Sequence, residues 1–471
     1  MNEEPKDEPA EPAGGSPFEQ LFAALGGTGG QPGGGMPDLG VLLGQLQRMF
    51  TAHEGSVNWD LARDTARSAL AQHKDPSPST ADKRAVADAV RLAEVWLDDA
   101  CTLPAGSTTA EAWSRAEWVE ATMPVWQQLV EPVAGSVVAA MQQAIPEEAR
   151  AMAGPFVGLL GQAGGAMFGA QIGQAIGGLA AEVVSVCEIG LPLGPAGRAA
   201  LVTHNVREFG AGLGVEHSDV VLYLALRECA YQRLFGHVPW LRSHLLGLVE
   251  EYARGISIDI EAIEATISGI DPANLQGVQE ALAGGLFEPQ ETAAQSAALG
   301  RLETALALVE GWTDDVVGEA TGQRMPAAAA LREAVRRRRA AGGPAEQTFA
   351  SLVGLELRPR RLRDAAALWG ALRTAAGERA RDAVWTHPDL MPGPADLDDP
   401  LGFAERAKSG AVDTDSAEFD AALTALLSDD VAADDAAPND NPAAGADPAA
   451  QGDSAGDDPA AQDDDGSSPA R

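Results

Sequence analysis

The chain has 471 residues, enough to bury a large core in one domain or in two or three, and a formal net charge of −36. That charge argues against a nucleic-acid binder and against a polybasic membrane anchor. Three cysteines, Cys101, Cys187 and Cys229, are too few and too scattered for a disulfide framework or a metal cluster, and they suit a reducing cytoplasm.

Residues 1–36 are acidic and rich in Pro and Gly, without the basic and apolar blocks of a signal peptide. They read as disordered, apart from a short amphipathic piece at Phe18 to Leu25. Pro37 and Asp38 open a predicted helix carrying Leu39, Leu42, Leu43, Leu46 and Phe50. Asp60 to Gln72 predicts another, and Asp82 to Leu97 a third, with Val86, Val90, Ala93 and Leu97 on one face. Ser114 to Val130 supplies Trp118, Val119, Met123, Trp126 and Leu129 to a core. Helical periodicity continues to about Leu372, and β-branched alternation is nearly absent, so no sheet is predicted. From Asp413 to Arg471 the chain is Ala/Asp/Pro/Gly low complexity with too little apolar surface to pack. The expected organisation is a mainly α domain over residues 37–412 between disordered acidic ends at 1–36 and 413–471. Lysine occurs only at Lys6, Lys74, Lys83 and Lys408, and the preference for Arg, Ala and Gly suggests a GC-rich bacterial genome.

Ala151 to Ala181 contains no charged residue, and Gly161, Gly165, Gly169, Gly173 and Gly177 recur every fourth position. A repeated G-x-x-x-G lets another helix approach closely. Gln162, Gln171 and Gln174, with no flanking Lys/Arg clusters or aromatic belts, favour a central helix of a bundle over membrane insertion.

The segment with most chemical content is Arg227-Glu228-Cys229-Ala230-Tyr231. It keeps the frame of H-E-x-x-H, in which two histidines at i and i+4 bind Zn²⁺ and the intervening Glu serves as base. Arg227 and Tyr231 stand where the histidines would be. Arg227 stays protonated at any relevant pH, and Tyr231 is a poor zinc ligand. His204, His217, His237 and His244 are the candidates for a displaced metal, with caps, core and surface as the plainer reading. Cys229 has no Cys/His/Asn partners and reads as a small buried apolar group. The run Arg336 to Arg339, closed by Gly342-Gly343-Pro344, reads as a solvated helix end, with an anion or acidic-partner site, or the chain's own acidic tail, as the alternative. Trp96, Trp118, Trp126, Trp240, Trp312, Trp369 and Trp385 read as core.

Several segments in this order resemble one family: Pro37-Asp38-Leu39-Gly40, Ser114 to Val119, the glycine-stepped helix and Arg227-Glu228 through His237-Val238-Pro239-Trp240-Leu241. Tyr252 to Ile256, Val309-Glu310-Gly311-Trp312, Arg336 to Pro344, Leu355 to Arg361 and Trp385 to Leu390 continue it. Over Asp38 to Phe403 the chain resembles the actinobacterial zincin-like family labelled hydrolase or zinc-dependent metalloprotease, related to proteins associated with deazaflavin-cofactor biosynthesis. The resemblance implies a zincin-like helical domain. It maps the first ligand to Arg227, the base to Glu228, the second ligand to Tyr231 and the third ligand to Glu310. Two of the three ligand positions depart from the pattern. The expectation is a cytoplasmic protein with a degenerate motif and a vestigial Glu228, without bound zinc, acting by binding a protein or peptide. An internal Arg227–Glu310 pair would take the metal's place. The alternative is an active hydrolase or metallopeptidase with zinc at a displaced site.

Overall fold

The computed structural model describes residues 55–143, 154–254, 292–340 and 361–409. The segments expected to be disordered and the helix expected at 37–50 lie outside these residues. Helix α1, Trp59–Ala71, begins where the Asn58 side chain accepts from the Leu61 N–H. Helix α2, Thr80–Asp98, begins at a reciprocal box between Ser79 and Asp82. Both bury the apolar stripe that their periodicity predicts, Ala62, Ala66 and Leu70 on α1 and Val86, Val90, Ala93 and Leu97 on α2. Helix α3, Arg115–Gln143, is longer than expected and contains Pro124 and Pro132.

Helix α4, Gly154–Ala180, carries the glycine repeat and packs along α1. A Cβ at Gly169 would lie 2.3 Å from the Asn58 carbonyl oxygen, and one at Gly173 would lie 2.2 Å from that of Ala62. Only glycine permits that approach. It also allows a backbone bond between the start of α1 and α4, Asn58 N–H to Gly165 O at 2.9 Å. No described helix is long and apolar enough to cross a membrane. Gly161 lies where side-chain placement is not described, so the observed face runs from Gly165 to Gly177.

The absence of a sheet was the one architectural expectation to fail. Strands β1, Thr109–Trp113, and β2, Arg198–Val202, pair in parallel, with Thr109 opposite Arg198 and Trp113 opposite Val202. Their sequences, TAEAW and RAALV, are alanine-rich and only five residues long. From Ala199 to Val202 every residue of β2 is buried, so no alternation marks it. The domain remains mainly helical.

After α5, Thr203–Gly210, comes α6, His217–His237. From Val220 to Leu234, all but Leu222 of α6 is buried, and it touches α2, β2 and α8, Ala293–Thr321. A helix buried on all sides has no amphipathic period, and its polar residues must find partners inside. Helix α8 opens on a Thr292–Gln295 box and is buried almost throughout from Leu302 to Val317. It also meets α7, Pro239–Arg254, and α10, Leu362–Ala376. At Gly311 a Cβ would fall 2.7 Å from the Ala365 backbone, which accounts for the glycine beside Glu310. Helix α9, Ala328–Ala340, lies against α6 and α8. Short helices α11, Glu378–Ala383, α12, Pro394–Asp398, and α13, Pro400–Ser409, complete the described chain. Trp118, Trp126, Trp312, Trp369 and Trp385 are fully enclosed, as expected of core, whereas Trp96 and Trp240 are only partly buried.

Candidate functional site

Residues 227 and 231 are one helical turn apart and face α8 together. The Arg227 guanidinium donates from Nη2 to Glu310 Oε2 at 2.9 Å and to the Tyr231 hydroxyl at 3.1 Å. Its Cζ lies 5.8 Å from the centre of the Tyr231 ring. Arg227 is 7% exposed, Glu310 1% and Tyr231 0%. The internal pair expected from the sequence is therefore formed.

A second cation, not expected from the sequence, joins the pair. Arg339, from the last turn of α9, donates to Glu310 Oε1, so both carboxylate oxygens are held by guanidinium groups. Burial opposes the charge on each arginine. For Arg227 the opposing pull of Tyr231, Glu310, Tyr223 and Asp314 wins, and for Arg339 that of Glu310, Tyr231 and Glu188. Both guanidinium groups consequently hold their protons more tightly than in water. Tyr231 is pushed the other way: burial and the Glu310 charge raise its hydroxyl pKa well above the usual phenol value.

The run Arg336–Arg339 is thus not a solvated helix end. Arg336 donates to Asp314 at 2.6 Å, Arg338 pairs with Glu188 at 3.1 Å and Arg339 reaches Glu310. Arg337 alone of the four is exposed, beside Glu333 at 3.2 Å. The reason lies on α8, which buries Glu310, Asp314 and Asp315 within two turns. Buried carboxylates need cations. Asp314 takes Arg332 and Arg336, and Asp315 takes Arg373 and Arg381. Three acids on an otherwise apolar stretch were the signal that could have assigned the arginine run.

Glu228, one position on, turns away from this cluster. It is 0% exposed, its Oε2 accepts the Cys187 backbone N–H at 3.0 Å, and its Oε1 accepts from Gln232 Nε2 at 2.9 Å. Gln232 continues the network, donating to the Arg198 carbonyl at 3.0 Å and accepting from the Gly197 N–H at 3.2 Å. Burial raises the Glu228 pKa, only partly countered by bonds to Gln232, Cys187 and Ser185. This carboxyl fastens the segment before β2 to α6.

The histidines do not converge. His204 pairs with Glu208 at 3.3 Å, His237 meets the Ala105 carbonyl at 3.2 Å, His244 sits edge-on to Trp240, and His217 is exposed at the start of α6. Among the described residues no group of three His, Cys, Asp or Glu side chains is placed to hold a metal. Cys229 is fully buried, and burial raises its thiol pKa well above the usual value, as suits a small apolar group.

A catalytic zinc takes three protein donors, each neutral or anionic with a free lone pair. At the family positions Arg227 has no lone pair to give, the Tyr231 phenol resists ionisation, and both Glu310 oxygens accept from arginine. As arranged, this donor set does not fit zinc.

No curated protein matches the chain. Among solved structures, a crystal structure of a protein from Chloroflexus aurantiacus, described as a "putative hydrolase with a novel fold", aligns with a TM-score of 0.53. The two are 20% identical, and the alignment covers 74% of this chain and 98% of that one, a likeness of fold. The family model described as zincin-like metallopeptidase matches residues 57–404, most of the chain, and the protein belongs to that family.

Proposed function

We propose that this protein is a zincin-like family member in which a buried arginine–glutamate cluster replaces the metal, and that it acts by binding a protein or peptide rather than by zinc hydrolysis. The observation that carries the reading is the double engagement of Glu310 by Arg227 and Arg339. A divalent cation at that position would meet two guanidinium charges and no free donor. Glu228 supports it, because a base must reach a substrate proton and both Glu228 oxygens are committed to the fold. Among the described residues nothing supports a displaced metal, since the four candidate histidines go to separate surroundings. A reducing cytoplasm suits the three free thiols, all buried.

Thermal melting with added zinc and with chelator tests the reading. A metal that binds only the native state would add about 2.7 kcal/mol at a hundredfold excess over its Kd. The melting temperature should be the same in zinc, in chelator and in neither. A zinc-induced rise that disappears in the Glu310→Gln variant would return the protein to the hydrolases.

A further inference from the structure

Helix α9, which reaches Glu310 through Arg339, is fastened differently along its length. The first half of α9 is anchored by apolar contacts: Leu331 is fully buried, Ala327 and Ala328 pack on the core, and Met325 is buried just before the helix. Arg332 adds bonds to both Asp314 oxygens at 2.9 and 3.0 Å. In the second half the one large apolar side chain is Val335, which is only partly buried. What holds residues 335–340 is mainly charge: Arg336 on Asp314, Arg338 on Glu188 and the Glu182 carbonyl and over the Phe209 ring, and Arg339 on Glu310.

Each acid under this half, Glu310 and Asp314 buried and Glu188 half-buried, has a second partner outside residues 335–340. Glu310 keeps Arg227, Asp314 keeps Arg332 on the anchored half, and Glu188 keeps the Val184 N–H. If the second half lifted away, no carboxylate would be orphaned. Removing one partner of a buried pair is costly because it leaves a bare charge behind. That penalty is reduced here, because Arg227 still balances the Glu310 charge when Arg339 leaves Oε1, and the departing guanidinium groups pass into water.

We propose that residues 335–340 form an ionic strap over the family site, one that opens as a unit while α6, α8 and the first half of α9 stay folded. Opening exposes Glu310, Arg227 and Tyr231, which the closed strap buries. The strap thereby controls access to the position at which this fold would engage a ligand. The proposal stands apart from the metal question, since it concerns what covers the site and not what fills it.

Amide hydrogen exchange on the full chain tests this. The double variant Arg336→Gln with Arg338→Gln removes two tethers and leaves Arg332 and the Arg227–Glu310 pair. Exchange in 335–340 should speed up about tenfold or more while α6 and α8 keep their native protection, the pattern of a local opening. In the native chain the same segment alone should respond when ionic strength rises to about 1 M, where screening acts within roughly 3 Å. Two results would overturn the strap. One is loss of protection in α8 together with 335–340, or failure of the double variant to fold, which would make this half an integral part of the core. The other is no change in 335–340 under either condition, which would show that charge does not hold it.

Discussion

The contact between α1 and α4 makes one substitution change sign with position. A Cβ built on Gly173 would lie 2.2 Å from the Ala62 carbonyl oxygen and 2.7 Å from Thr65 Cβ, and one on Gly169 would lie 2.3 Å from the Asn58 carbonyl. At Gly177 the first contact is Ala69 Cβ at 3.0 Å, and at Gly164 and Gly178 nothing stands within 4 Å. All five are interior to α4, where alanine is favoured over glycine by about 0.8–1.0 kcal/mol. At Gly164 and Gly178 that preference acts unopposed, so each Gly→Ala should stabilise by up to about 1 kcal/mol. At Gly169 and Gly173 the obstacle is backbone, which cannot rotate aside, and overpacking costs about 1–3 kcal/mol. The net effect there should be a loss of up to about 2 kcal/mol after subtracting the helix preference. Gly177→Ala should fall near zero, and Gly169→Leu should be worse than Gly169→Ala. Denaturant unfolding of the single variants, compared by midpoint at constant slope, measures this. Equal shifts of one sign at all five positions would refute the close approach.

Three further outcomes follow from the site. Glu228→Gln should cost about 1–3 kcal/mol, because both oxygens accept bonds and the new NH2 must face one of those donors; an unchanged denaturation midpoint would show that one oxygen is free. Because the folded Glu228 pKa is raised, the native state keeps a proton between about pH 4.3 and that raised value that the unfolded chain has lost. Stability attributable to Glu228 therefore falls as pH rises through the window, and the glutamine variant should lack that slope in a pH series of melts. Burial works to raise the Asp314 pKa, but bonds and charges from Arg332, Arg227 and Arg336 hold it below the usual carboxylate value. Its contribution is present above about pH 3.9 and is lost as pH falls through the folded value, so Asp314→Asn should destabilise most at neutral pH and converge with the native chain in acid.

Much of this architecture was legible because it rests on periodicity. The stripes of α1 and α2 appear at the positions their spacing indicates, and the every-fourth-residue glycines marked a helix contact before its partner was known. The Arg227–Glu310 pair could be read from the family frame together with the rule that a buried carboxylate needs a cation. Other features were not local. Strands β1 and β2 are short, alanine-rich and enclosed, so they carry no alternation, and their pairing joins residues about ninety positions apart. Arg339 was misread because an arginine run looks the same whether its acids are water-exposed or buried on another helix. Glu228 was expected to be a vestigial base or a helix-surface acid, and its full burial was not foreseen. Its bond to the Cys187 backbone depended on a segment with no regular structure, which no periodic signal reveals.

On the proposed reading, guanidinium groups occupy the place of the metal on Glu310. Elemental analysis of the untagged chain after equilibration with zinc and gel filtration tests it most directly, beside Arg227→His/Tyr231→His and the same pair with Arg339→Gln. The native chain should retain no stoichiometric zinc, and the double variant should bind weakly, because Arg339 still holds one Glu310 oxygen. The triple variant, with two imidazoles and a freed carboxylate, should bind about one equivalent and lose it when Glu310→Gln is added. About one equivalent on the native chain, lost with Glu310→Gln, would make this site a metal centre and rule out replacement of the metal by arginine.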